Sequence, residues 1–135
     1  MSDEEHVLTF DEDYNCIVVD DSAFMVKNLV RMLESFEAEV LDTAENGEEA
    51  VELVEEHGSD IDFVTLDITM PEKNGIEALE EILEIEPDLN VVMVSAMGQE
   101  DTVKKCVMKG AKHFIVKPFE REDVFEKLTG VMNED

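Results

Sequence analysis

Apolar positions along the chain alternate between two spacings. Cys16-Ile17-Val18-Val19 is a continuous apolar run bounded by polar residues, the pattern of a strand buried on both faces. From Ser22, a candidate N-cap, the spacing lengthens, and Val26, Leu29, Val30, Leu33 and Phe36 recur at helical intervals. Val40 to Ala44 predicts a second strand, followed by a helix that Asn46 opens and Gly58 closes, carrying Ala50, Val51 and Val54. Phe63 to Leu66 predicts a third strand; Pro71 and Gly75 then punctuate a loop before a helix with Ile76, Leu79 and Leu83. Pro87 separates that helix from the fourth strand, Val91 to Val94. The next helix carries Val103, Cys106, Val107 and Gly110 on one face. Phe114-Ile115-Val116 is the fifth strand, and Val124, Leu128 and Val131 line a last helix. Residues 1–14 hold six acids and no period, and read as an acidic, flexible extension, which leaves 15–135 as the domain.

Five such strand–helix units predict an α/β fold with a parallel sheet covered on both faces. Right-handed crossovers favour a doubly wound, flavodoxin-like sheet with strand order 2-1-3-4-5. Ligands of such sheets sit beyond the carboxyl ends of the strands, where the order reverses. The residues that close the strands are therefore the candidates for function.

Those residues are polar. Strand one ends in Asp20-Asp21, strand three in Asp67, strand four in Ser95 and strand five in Lys117-Pro118. Singly, each reads as a cap or a solvated turn residue. Together, three carboxylates at one sheet edge would repel one another and raise each other's pKa unless a cation neutralised them. Oxygen donors with open positions suit a hard divalent ion, best Mg²⁺. The Ser95 hydroxyl and the Lys117 ammonium are suited to gripping anionic oxygens, so the set has the parts of a phosphoryl-transfer site.

Charge narrows the partners. The 135 residues contain 36 Asp+Glu against 10 Lys+Arg, a net −26, which excludes direct binding to nucleic acid or an anionic membrane surface. Two cysteines ninety positions apart form no disulfide framework and no thiolate metal site. With no apolar run long enough to span a bilayer and no signal peptide, the expectation is a cytoplasmic, monomeric domain.

IVVDDSAFM, AENGEEAV, LDITMPEKNGIEAL, VVMVSAMGQEDTV and GAKHFIVKPF occur in this order from about Asn15 to Met132. In these motifs the chain resembles the receiver domain of bacterial and archaeal response regulators, most of all the stand-alone regulators of chemotaxis. The resemblance implies that Asp67 accepts a phosphoryl group from a histidine kinase (CheA-like), that Asp21 and Asp67 ligate Mg²⁺ directly, and that Asp20 acts through bound water. It further implies that Thr69 supplies a ligating backbone carbonyl, that Lys117 contacts the phosphoryl group, and that the bond before Pro118 is cis. Ser95 matches the switch hydroxyl, expected to move inward and open space for the ring of Phe114, the switch aromatic. Thr69 and Met97 hold the positions that tune self-hydrolysis. Many chemotaxis regulators place an amide and an acid there, whereas a thioether cannot orient water, so slow self-dephosphorylation is expected. On this reading the chain is not an enzyme beyond its own phosphorylation and dephosphorylation.

Residues 102–119 contain Lys104, Lys105, Lys109, Lys112 and Lys117 and no acid. Of these, Lys104, Lys105, Lys109 and Lys112, with Phe114, mark a partner face made by the fourth helix, the fifth strand and the fifth helix, suited to an acidic or helical partner such as a flagellar or archaellar motor switch or adaptor protein. A phosphatase is a further partner. A phosphorelay receiver passing phosphate to a second histidine protein is the nearest rival. A haloacid-dehalogenase-type phosphatase would need an acid where Thr69 stands, and a flavin binder would need a glycine- and hydroxyl-rich loop in place of DDSAFM.

Overall fold

The computed structural model describes residues 8–133. Its elements alternate as β1 (Asn15–Val19), α1 (Ala23–Ser35), β2 (Glu39–Ala44), α2 (Gly47–His57), β3 (Phe63–Leu66), α3 (Gly75–Ile85), β4 (Asn90–Ser95), α4 (Glu100–Met108), β5 (His113–Val116) and α5 (Arg121–Met132). The five strands are parallel in the order β2-β1-β3-β4-β5, as the pattern predicts.

The continuous apolar runs are explained by two cores. Successive side chains of a strand face opposite ways, so Ile17, Val64, Val91 and Met93 pack with Ala50, Val54, Leu79 and Ile82 of α2 and α3. Cys16, Val18, Phe63, Val92 and Ile115 pack instead with Leu29, Leu33, Val124 and Leu128 of α1 and α5. Caps set the helix starts. Ser22 accepts from the Met25 N–H and Asn46 from the Glu49 N–H. Asn74, which the pattern did not single out, forms a reciprocal capping box with Glu77.

Two expectations are corrected. The flexible extension does not reach residue 14: Phe10 and Tyr14 are each only 7% exposed. Phe10 stacks on Phe125 and meets Tyr14, Phe36 and Phe63 edge to face, and its N–H donates to the Phe36 carbonyl. Two aromatics scattered among acids carry no period, yet they close the gap between the end of α1 and α5. Residues 1–7 of that extension lie outside the described residues. The second correction concerns α4, which buries Cys106 and half-buries Val103, while Val107 is 52% exposed. The helix sits on the sheet by a narrower stripe than its spacing suggested.

Candidate functional site

The sheet carries the site past its own ends. The Asp20 N–H donates to Ala44, the Asp67 N–H to Val19 and the Lys117 N–H to Ser95, each continuing the ladder one residue beyond a strand. Asp20, Asp67 and Lys117 are thereby fixed on one edge, where the sequence placed them. Beneath them α3 begins hard against β3. A Cβ on Gly75 would overlap the Asp67 carbonyl and lie 2.8 Å from the Ile68 Cα, so only glycine fits.

At the floor, Lys117 Nζ lies 2.7 Å from Asp20 Oδ2 and 3.4 Å from Asp67 Oδ2. The remaining oxygens are used as well: Asp20 Oδ1 accepts from the Ser22 N–H and Asp67 Oδ1 from the Ile68 N–H. Burial pushes the Asp67 carboxyl above the ordinary aspartate range, and the Asp20 charge adds to this; the Lys117 ammonium and the Ile68 N–H oppose it without cancelling it. Burial alone would lower Lys117, but its hydrogen bond to Asp20 and the two carboxylate charges outweigh that and raise it. Asp21 is exposed at the rim, and Asp20, Asp21 and Asp67 each offer an oxygen within 4.8 Å of the others. Two buried carboxylates sharing one ammonium, with a third open to solvent, fit a hard cation such as Mg²⁺ by charge and donor type.

At the mouth, Ser95 is buried and its Oγ accepts from the Met97 N–H at 3.1 Å. The Thr69 hydroxyl donates to Met97 Sδ at 3.2 Å, a contact that ties together the β3–α3 and β4–α4 loops. No sequence pattern indicated that contact. The Phe114 ring already lies in the core beside Met93 and Cys106, so the inward position expected of the switch aromatic is occupied here. The Lys117–Pro118 bond is cis.

The lysine face is smaller than the sequence suggested. Lys109 pairs with Glu80 of α3, and Lys112 reaches Asn90 at the opposite end of the sheet from Asp67. Lys104 and Lys105 remain exposed, together with Val107, Met108 and Val116, and the first two line a groove of about 470 Å³ with Met108. A second groove of about 470 Å³, unforeseen, runs between α1 and β2 over Ala23, Val26 and Val30, flanked by Lys27 and Arg31. Phe24, 76% exposed on the same helix, stands three residues from Asp21.

Residues 16–129 match the family model described as the response regulator receiver domain. The chain is 45% identical over 119 residues to the chemotaxis protein CheY of Treponema pallidum, covering 88% of this chain and 83% of that one. To the chemotaxis protein CheY of Bacillus subtilis it is 44% identical over 120 residues, with 89% and 98% covered. Among solved structures, a chain of the CheX-CheY-BeF3-Mg complex from Borrelia burgdorferi superposes with a TM-score of 0.88 at 45% identity, covering 90% of each chain. A doubly wound sheet, an acidic edge of three aspartates of which two share one lysine, and this likeness along nearly the whole chain lead to one conclusion: the chain belongs to the response regulator receiver family, and within it is similar to the CheY proteins of chemotaxis.

Proposed function

We propose that the chain is a phosphorylation-activated regulator that takes a phosphoryl group from a histidine kinase onto Asp67 and signals in chemotaxis by protein contact. The observation that carries this is the convergence of Asp20 and Asp67 on Lys117 Nζ beside exposed Asp21. In the transfer, an Asp67 oxygen bonds phosphorus as the phosphorus–nitrogen bond to the donor imidazole breaks, and the imidazole leaves with a proton. Lys117, held protonated by its two carboxylate neighbours, offsets the repulsion between a carboxylate and an anionic phosphoryl group. Asp20, Asp21 and Asp67, with the Thr69 carbonyl, would hold Mg²⁺, which when bound neutralises charge on the transferred oxygens. Ser95 exchanges its bond to the Met97 N–H for one to a phosphoryl oxygen, while the Phe114 ring keeps the inward place it already holds in the core.

The phosphodonor docks over α1, where exposed Phe24 lies three residues past Asp21 and Lys27 and Arg31 flank the groove along the helix. The output partner, a motor switch or adaptor protein, docks on α4 and β5 through Lys104, Lys105, Val107, Met108 and Val116. No substrate other than the phosphodonor is turned over.

The test is intact mass after incubation with acetyl phosphate, with and without Mg²⁺. A single phosphoryl adduct that requires both Mg²⁺ and Asp67, and is absent from Asp67→Asn, is expected. No adduct under any condition would reduce the three aspartates to caps and a cation site.

A further inference from the structure

Among the described residues two methionines are exposed, and the sulfur of one of them lies at the mouth of the site. Cys16 and Cys106 are fully buried, and burial, with the charges of Asp62 and Glu34, pushes the Cys16 thiol up to about 12. Burial raises the Cys106 thiol as well, so neither presents a thiolate to a dissolved oxidant. The most exposed methionines among the described residues are Met97 and Met108. Met108 is on the outer face of α4, but Met97, 38% exposed, stands two residues past Ser95, with its Sδ bonded to the Thr69 hydroxyl. Thr69 in turn is two residues past Asp67. An oxidant that reaches Met97 Sδ therefore acts within the mouth of the site, not on a remote surface.

We propose that Met97 is an oxidation site through which peroxide shortens the life of the phosphoryl group on Asp67. The inference rests on the phosphoacceptor reading above and names a regulator of that same site. In the step, the Met97 sulfur attacks one oxygen of hydrogen peroxide: a sulfur–oxygen bond forms as the oxygen–oxygen bond breaks. The thioether is oxidised to the sulfoxide, and the departing hydroxide takes the remaining proton and leaves as water. The thioether is a weak acceptor that cannot orient water, whereas the sulfoxide oxygen is a strong one. It can keep the Thr69 hydroxyl with one lone pair and hold a water against the acyl phosphate with the other. Oxidation thus supplies the polar group that this position lacks, and its reduction by a methionine sulfoxide reductase takes that group away.

The experiment treats the full chain with hydrogen peroxide, maps the added oxygen by peptide mass, then labels with acetyl phosphate and Mg²⁺. After removal of acetyl phosphate, loss of the adduct is followed by intact mass. Expected are oxygen on Met97 ahead of the buried methionines and decay faster by about fivefold, the rate equivalent of one net hydrogen bond. Met97→Gln, which carries an amide oxygen without oxidant, should also decay faster than untreated wild type. In Met97→Leu, peroxide should leave the variant's own decay rate unchanged although Met108 is still oxidised. Equal or slower decay of the oxidised wild type overturns the inference, as does an acceleration that survives in Met97→Leu. If the untreated chain takes no adduct, the phosphoacceptor reading falls and this inference with it; if it takes the adduct and only the acceleration is missing, this inference falls alone.

Discussion

Asp20, Asp67 and Lys117 at the floor of the site are held by main-chain bonds one residue beyond their strands, and their charges are paired out of solvent. Thr69 and Met97 at the mouth ride on exposed loops and meet through one hydroxyl–thioether bond. The floor is rigid because the sheet and Gly75 leave its backbone no room, so its residue types are dictated by the chemistry it performs. Beyond the hydroxyl–thioether contact, the Met97 N–H donates to Ser95 Oγ at the end of β4. The side chains of the mouth can change without disturbing the sheet, and they are the ones positioned to set how long a phosphoryl group lasts rather than whether it forms.

Glycine substitutions at the two levels give the widest contrast. Gly75→Ala should cost about 3 kcal/mol or more in denaturant unfolding, because the added methyl meets main chain that cannot move. Gly98→Ala, whose Cβ would meet only the side chain of half-exposed Val116, should cost no more than about 1 kcal/mol. Equal costs would remove the distinction between floor and mouth.

Next in size, Lys117→Ala should slow labelling by acetyl phosphate on the order of a hundredfold. It should also tighten Mg²⁺ binding measured by calorimetry, since the ammonium competes with the ion for Asp20 and Asp67. Weaker Mg²⁺ binding would mean that Lys117 organises the carboxylates rather than competing for them.

Asp67→Asn sharpens the electrostatic side of the comparison. Burial makes Asp67 hold its proton more tightly folded than unfolded, so the folded state binds more protons there. Stability contributed at this residue therefore falls as pH rises from the ordinary aspartate range through the raised value, and the penalty is complete at neutral pH. The variant should melt at a higher temperature than wild type at neutral pH, with the gap narrowing in acid as wild-type Asp67 is protonated. A gap that widens in acid would reverse the assignment of the strain to this carboxylate.

The smallest effect belongs to the mouth. Met97→Glu should accelerate loss of the phosphoryl group by about fivefold in a decay assay while leaving unfolding within about 0.5 kcal/mol of wild type. An unchanged decay rate would make Met97 a bystander.

The legibility of the chain divides along the same line. Strand order and the floor could be read because buried parallel strands leave continuous apolar runs, and the residues that close them, Asp20, Asp67, Ser95 and Lys117, interrupt those runs visibly. The Thr69–Met97 contact could not be read, since it joins side chains 28 positions apart on irregular loops whose approach no period encodes. Phe10 and Tyr14 were hidden by the acids around them. Val107 was misplaced because a nine-residue helix need not bury the whole of its apolar stripe. The spread of lysines on α4 overstated the free positive face, because the chain folds Lys109 against Glu80 of the neighbouring helix.

The aromatic cluster at the foot of β1 has an optical consequence. The chain has one tyrosine and no tryptophan, and Tyr14 sits edge-on to Phe10 at the end of β1 away from Asp67. Ultraviolet-excited emission therefore reports whether that corner is folded and is blind to chemistry on the acidic edge. Burial also raises the Tyr14 phenol, so its absorbance change in alkali comes late and marks the same corner. A light signal for phosphorylation has to be introduced at the other end, and Phe24→Trp, on the solvent side of α1 beside Asp21, would place the fluorophore there without entering either core.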